Sequence, residues 1–544
     1  MSASFRSAVR RASGVIAASA AALLTWTVLP LSAADSAGHV FALTDSVRFT
    51  ASFAVLFFGL LLARPAPLWV ISLLPFAALP AAGAVPLSGL WEAVSSEYLL
   101  SLVFALFMAA GIRRWKLDRR AALLFFELTG PEPRTILAVT VMLTGFCALW
   151  TPSSLFCVLA LPVLLSFGQY AEDFYRRTGG GSSRNLLKAL ALAVSFSVAA
   201  GAMANIAASP INRALFVFSE TAAGAHIRVT VWFGILLALF CAGLPAAYFA
   251  LRGLAGGRKR TQEEAWALET QHRQFLAEKS AELGAAGGKE IFLHVLVGLS
   301  ALGWTLSFVL QFMVGRGGFT DVFSPALITG AAAAVMLVLR LTEGDLAGAL
   351  QSADLRSQPW QAAVFFAGCL ALACGLERSG AMSAAGFAVA GLLASHAVPK
   401  VLAAFLFMLA LGNLLPAGAV AWFGKVLFAA ALVPLGAGEG QAEVTLTLLP
   451  AAAFLLPLGA LHCMVLYSAG LFTFRDYFRY GVRIALVIVP LMIALPFVTD
   501  YSRQAAPGEA AAVSRGAGDA HAGSFCSLQT MNAGSRALSG SGPS

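Results

Sequence analysis

Charge is what this sequence holds least of. Asp, Glu, Lys and Arg make up 12% of its 544 residues, about half the share of an ordinary soluble domain. Most of the chain is therefore not a water-facing globule. Acidic residues are almost missing from the long apolar runs. That scarcity excludes a cation/proton antiporter built on buried aspartates, and it removes paired carboxylates as intramembrane acid and base. No His-Glu-x-x-His or Gly-x-Ser-x-Gly pattern occurs, so nothing points to an enzyme. Cysteine is sparse too, seven in all with no Cys-x-x-Cys. Cys147, Cys157, Cys241, Cys369, Cys374 and Cys463 stand in apolar runs and read as buried free thiols, not as a disulfide or metal framework. Cys526 stands alone in a polar tail.

What remains is apolar. The chain is 59% hydrophobic with a mean hydropathy of +0.80, and many runs approach the roughly 20 residues a spanning helix needs. The expected fold is an all-α membrane protein of about eleven transmembrane helices. The net charge of +9 sits in a few loops, as the positive-inside rule requires of cytoplasmic segments, and does not suggest nucleic acid. Arg6, Arg10 and Arg11 precede an apolar run over 15–31, and Ser32-Ala33-Ala34-Asp35-Ser36-Ala37 resembles a cleavage site. That run is long for a signal core. A retained first helix is the preferred reading, a cleaved signal peptide the alternative.

The apolar runs are interrupted in matching places. In the first half, 136–167 is broken by Trp150-Thr151-Pro152-Ser153-Ser154; in the second, 401–432 is broken by Gly412-Asn413-Leu414-Leu415-Pro416-Ala417-Gly418. One apolar segment after each lies a second break, at 201–212 and at 456–462. Irregular backbone at bilayer depth survives only where protein buries it or where it lines a cavity. Paired breaks in two halves point to the binding site of a secondary transporter.

Loop charge orders the segments. The block 113–120, Arg134, and Arg176, Arg177, Arg184 and Lys188 all read as cytoplasmic, which puts both flanks of 136–167 on one side and makes it a re-entrant hairpin. The N-terminus is then cytoplasmic and the C-terminus extracytoplasmic. Residues 1–97 form N-terminal scaffold helices, and 98–251 a first repeat with hairpin 136–167 and broken helix 186–219. A charged cytoplasmic loop, 252–290, reads as a solvated amphipathic helix. A second, inverted repeat covers 291–498 with hairpin 401–432 and broken helix 446–471, and 499–544 is a disordered tail.

These residues resemble the divalent anion/sodium symporter family, the sodium:sulfate and di- and tricarboxylate transporters, within the wider ion transporter superfamily. The resemblance covers most of 45–498. It is carried by 111–124, the hairpin ending Leu161-Pro162, 359–380, and Tyr467-Ser468-Ala469-Gly470-Leu471-Phe472-Thr473-Phe474-Arg475-Asp476-Tyr477. It implies a carrier of a small anion working by alternating access, a homodimer joined around 67–85, 98–112, 324–339 and 361–376, and sodium as the coupling ion. An anion exchanger, a proton-coupled carrier and a transport-inactive membrane receptor are the alternatives. The setting is the inner (plasma) membrane, with lipid as the other partner and no organic cofactor.

The family's hairpin tips carry Ser-Asn-Thr, and here those positions fall on Pro152-Ser153-Ser154 and Pro416-Ala417-Gly418. Its unwound helices carry Thr-Pro-Pro-Asn or variants; this chain has Ser209-Pro210-Ile211-Asn212 and Ala460-Leu461-His462-Cys463. Ser153, Ser154, Asn205, Ser209, Asn212, Arg213, Asn413 and His462 are the candidate substrate-binding residues. Ser153, Ser154 and Asn212 are the candidate ligands of a single sodium ion. Ser153 and Ser154 would alternatively cap the helix that follows, and the two Asn would satisfy freed backbone groups. Lys425 is a candidate replacement for a second cation, or a snorkelling side chain. His462 is either a hydrogen-bonded structural group or a proton carrier.

Overall fold

Helix is the only backbone form that satisfies its own polar groups within one segment in lipid, and helix accounts for most of the residues described by the computed structural model. It describes residues 3–28, 32–34, 40–42, 44–179, 183–205, 229–257, 261–314, 323–341, 358–382, 384, 400–414, 420 and 454–498. Among them nine helices are long and apolar enough to cross a membrane. The exception to helix is a short antiparallel pair, β1 (Ser32–Ala34) and β2 (Val40–Ala42).

Helix α1 (Ala3–Val28) packs along α2 (Asp45–Ala63). Thr44 caps α2 by accepting from Val47 N at 3.4 Å, and the helix ends on Arg64 in the left-handed region (φ 52°). The third predicted span, 67–85, is not one helix. It is α3 (Leu68–Ile71) and α4 (Leu74–Ala81), because Pro75 has no N–H for the preceding turn. After α5 (Leu87–Val94) and α6 (Glu97–Arg114), the chain turns at Lys116 (φ 59°) into α7 (Leu117–Thr129).

Helices α8 (Pro133–Trp150) and α9 (Ser153–Arg177) follow. The second arm runs ten residues beyond the expected end at 167, so Arg176 and Arg177 lie in its last turn and not in a loop. The Tyr175 hydroxyl near the end of α9 donates to Pro131 O, just before α8, at 2.8 Å. The chain therefore doubles back at Thr151-Pro152. Helix α10 (Ser183–Ala204) is the buried post against which α8, α9 and α11 (Val229–Ala255) pack. Its Ala, Ser and Gly residues permit that, since helices in lipid gain most from close backbone approach. A Cβ on Gly201 would lie 2.5 Å from Gly145 O and 2.8 Å from the Ala148 Cβ.

The charged segment 252–290 contains α12 (Gln262–Leu283), started by a capping box between Thr261 and Glu264. It is docked, which differs from the solvated helix expected. His272 and Phe275 are buried among Phe126 of α7 and Phe174 of α9, with the His272 and Phe126 rings 4.4 Å apart. Helices α13 (Gly288–Val314), α14 (Pro325–Leu341) and α15 (Trp360–Arg378) open the second half. Helix α14 packs on α6, and α15 on α3, α4 and α5, where Gly368 lets the backbones meet at Ser72. Then come α16 (Lys400–Leu414), α17 (Leu461–Ser468) and α18 (Phe474–Val498). Helix α18 starts ten residues before the expected 484 and takes in Arg475, Arg479 and Arg483.

Segments that loop charge assigns to one side are joined to one another. Arg120 pairs with Glu290, Arg177 with Glu278 at 2.8 Å, and Lys188 with Asp476 at 3.1 Å. Arg134 and Arg483 donate to the carbonyls of Gly256 and Ala250. From the opposite set, Arg378 pairs with Glu92 at 2.7 Å.

Candidate functional site

The first break is made by local chemistry. Pro152 cannot donate to the α8 ladder, so α8 stops at Trp150 and Thr151 is extended (φ −121°, ψ 154°), its hydroxyl turned back onto Cys147 O at 2.8 Å. Helix α9 restarts at Ser153 with Pro152 as its cap residue and no capping side chain. The capping role open to Ser153 and Ser154 is thus not the one they play. Both are half-buried in the first turn, and neither hydroxyl bonds to a described residue. The first intrahelical bond there is Phe156 N to Pro152 O, which leaves the earlier N–H groups of the turn pointing outward.

Asn205 ends α10 beside this break. It is fully buried, and its Nδ2 donates to Ala148 O at 3.2 Å, two residues before the end of α8. Lower in the same interface the Thr144 and Ser197 hydroxyls lie 2.6 Å apart. The end of α8 and the end of α10 are therefore one contact.

The second half repeats that contact with different atoms. Asn413, buried near the end of α16, donates from Nδ2 to Leu409 O at 2.8 Å; its Oδ1 accepts from Leu455 N at 2.9 Å and Leu456 N at 3.1 Å. Those two amides belong to the irregular stretch 454–460 that precedes α17. Gly459 sits so close to Gly412 that a Cβ on it would overlap the Gly412 carbonyl. Helix α17 then starts at Leu461, again without a capping side chain. His462 lies in its first turn, just past the irregular stretch and not inside it. It is buried, and its Nε2 has no hydrogen-bond partner.

The two halves meet here. Helix α17 packs along α9 and α10. The Cys463 thiol is 4.0 Å from Ser195 O and 3.1 Å from the Tyr477 hydroxyl, and Tyr477 packs on Phe196 at 4.6 Å. Cys157, one turn along α9 from Ser153, and Cys463, in the first turn of α17, are both fully buried. Two uncapped helix starts, Ser153 and Leu461, thus belong to one packed neighbourhood, and such ends favour negative charge. The structure brings Ser153, Ser154, Asn205, Asn413 and His462 into these two joints. Ser209, Asn212, Arg213, Lys425 and Pro416 lie outside the described residues. Among the described residues, no cluster of three or more His, Cys, Asp or Glu side chains is placed to hold a metal.

The model of the sodium:sulfate symporter transmembrane region matches residues 20–501. The chain belongs to the sodium:sulfate symporter family. Among its relatives, the sodium-dependent dicarboxylate transporter SdcS of Staphylococcus aureus (strain MSSA476) is 23% identical over 329 residues, 58% of this chain and 59% of that protein. SdcS of strain USA300 is 22% identical over the same length. The chain thus spans 59% of the length of the curated relatives it matches. For a sodium:sulfate symporter family member at this identity, the joints themselves are more informative than residue matches. Sequence reasoning missed their partners, Ala148, Leu455 and Leu456, because these contribute backbone atoms. It also gave no role to Tyr477, which lies one turn from Tyr480 on the buried face of α18.

Proposed function

We propose that this chain is a sodium-coupled secondary carrier of a small anion, a dicarboxylate, tricarboxylate or sulfate. The observation that carries the reading is the pair of uncapped helix starts at Ser153 and Leu461, in one neighbourhood and each reached through a break. The first-turn N–H groups and the Ser153 and Ser154 hydroxyls donate to the anion, and Asn205 and Asn413 hold the breaks open. Ser209, Asn212 and Arg213 extend the anion site from the first broken helix. One sodium ion binds near the first tip through Ser153, Ser154, Asn212 and freed carbonyls, while Lys425 stands in for a second. The hairpins and broken helices move as a unit against a scaffold of α3–α6, α14 and α15, in two inverted repeats and as a homodimer in the plasma membrane. The face bearing Arg120, Arg177 and Lys188 is cytoplasmic.

Purified full-length chain in proteoliposomes tests this. An inward sodium gradient is expected to drive uptake of labelled succinate, citrate or sulfate, with one sodium per substrate. Absence of both gradient-driven uptake and counterflow for all three anions would leave a receptor. A stoichiometry above one would refute the single-site arrangement. Proton coupling is the second reading, favoured by the partnerless Nε2 of buried His462. It requires that a pH gradient alone drives uptake and that His462→Gln abolishes this.

A further inference from the structure

Arginines gather at the end of the bundle where Lys188 meets Asp476. Arg475, Arg479 and Arg483 recur every four residues at the start of α18, so they share one face, about 12 Å long at helical rise. All three are exposed. Arg252, also exposed, stands in the last turn of α11, the helix that packs along α18. The two helices are tied here, where Arg483 donates to Ala250 O at 3.3 Å. The Arg479 and Arg483 guanidiniums lie 6.0 and 5.2 Å from the centre of one ring, that of Tyr480. Arg252 lies 4.9 Å from the centre of the Phe249 ring.

Two properties of this patch point to a ligand. The first is its charge. Among the described residues none of the four arginines is in an ion pair. The carboxylate beside them, Asp476, is taken by Lys188 at 3.1 Å and by the Thr473 hydroxyl at 2.8 Å. Guanidiniums gathered without a counter-charge favour an anion onto which several can fork, as phosphate oxygens allow. The second property is what adjoins the charge. The arginine face continues along α18 to Leu486, 71% exposed, and one turn back from Arg252 on α11 is Phe249, 59% exposed. Both helices are long and apolar enough to cross a membrane. A basic end running straight into exposed apolar surface suits a molecule with an anionic head and a hydrocarbon tail. A phosphate ion alone would use only half of it.

We infer that this face of α11 and α18 binds an anionic phospholipid, its phosphate on Arg252, Arg479 and Arg483 and its acyl chains against Phe249 and Leu486. Basic pockets between membrane helices take such headgroups. Helix α11 lies in the first half of the chain and α18 in the second. The lipid therefore adds a bridge between the halves beside the bond from Arg483 to Ala250 O.

The test uses delipidated full-length protein in detergent, with dioctanoyl phosphatidylglycerol, dioctanoyl phosphatidylcholine and inorganic phosphate as probes. Native mass spectrometry should show phosphatidylglycerol retained at least about tenfold over phosphatidylcholine. It should also raise the melting midpoint, and inorganic phosphate at the same concentration should not. Arg252→Gln with Arg479→Gln removes two charges and is expected to lower phosphatidylglycerol retention about tenfold or more. If that pair folds poorly, either substitution alone reads the same loss at smaller size. Arg176→Gln removes one charge from the end of α9, where the side chain is 75% exposed, and should leave retention unchanged. Equal retention of the two lipids, or retention indifferent to Arg252 and Arg479, overturns the site. A fall in Arg176→Gln as large as in Arg479→Gln overturns it as well, because net charge alone would then explain the binding. A midpoint raised as much by inorganic phosphate overturns the lipid as occupant.

Discussion

Replacing Asn413 is the sharpest perturbation of the second joint. In Asn413→Leu the side chain keeps its volume, but Leu455 N and Leu456 N lose their acceptor and Leu409 O loses a donor. The residue is 3% exposed, so water does not readily take the place of the amide. Each orphaned N–H costs about 1–3 kcal/mol, although hydrogen bonds inside membrane proteins average nearer 0.6 kcal/mol because the unfolded chain in lipid finds other partners. The two amides together put the loss at roughly 2–4 kcal/mol, a fall in melting midpoint of the order of 5 °C. Tryptophan fluorescence of the full-length protein in detergent, at one scan rate, reads it. Asn413→Asp keeps an oxygen opposite both N–H groups and is expected to lose less. A midpoint for Asn413→Leu within about 1 °C of the parent would refute the claim that this side chain holds the break.

Other expectations concern the rest of the structure. Ser153→Ala with Ser154→Ala removes two hydroxyls that cap nothing, so the melting midpoint should stay put. The KM for the transported anion should rise about tenfold or more, one charge-assisted hydrogen bond being worth about 1.5–3 kcal/mol; an unchanged KM removes these serines from the site. Gly201→Ala forces a Cβ against Gly145 and Ala148 and should cost about 1–3 kcal/mol, whereas Gly253→Ala, with nothing within 4 Å of its Cβ, should not show a comparable drop in thermal midpoint. Burial among phenylalanines depresses the His272 pKa, with Glu269 and Glu127 opposing and Arg273 assisting. The folded state then holds fewer protons than the unfolded one, so α12 docking is strongest above the ordinary imidazole pKa of about 6.5. It weakens as pH falls from there toward the lowered value. The protection factors of amides across 262–283, that is, the intrinsic exchange rate at each pH divided by the observed one, should fall between pH 7.5 and 5.5 in the parent and not in His272→Phe; equal protection factors at both pH values contradict this.

Much of this was legible because lipid imposes few rules and enforces them. The breaks at Pro152 and ahead of His462 could be read from residue type, since a proline beside small or polar residues is a place where a helix stops readily. The doubling back of α8 and α9 was legible from arginines on both flanks. Proline also misled. Pro75 ended a helix inside a span read as continuous, while Pro162 and Pro245 sit within α9 and α11 without stopping them, and local pattern does not separate these cases. The early starts and late ends of α18 and α9 were hidden because their arginines read as loop. A long side chain can carry its charge out of a helix along an apolar stem. The docking of α12 was hidden as well, since its buried residues are His272 and Phe275, in a helix of no clear apolar face, and its ion pairs such as Arg177–Glu278 and Lys279–Asp173 join charges that read as solvated.

The two joints differ in a way that bears on coupling. In the first, the side chain ends α10 and donates a hydrogen bond to a carbonyl of α8, Ala148 O. In the second, the side chain belongs to α16 and its oxygen accepts hydrogen bonds from two amides of the irregular stretch. An oxygen that already accepts two N–H bonds has its lone pairs occupied and is a poor ligand for a hard cation, which needs oxygens turned toward it. The first tip, by contrast, offers Ser153 and Ser154 hydroxyls bonded to no described residue. On the proposed reading, this asymmetry is why sodium belongs to the first half and a fixed charge such as Lys425 to the second. Lys425→Met should then transport poorly at any sodium concentration, whereas Ser154→Ala should recover as sodium is raised. If both variants respond to sodium alike, the halves are equivalent and the asymmetry of the joints has no part in coupling.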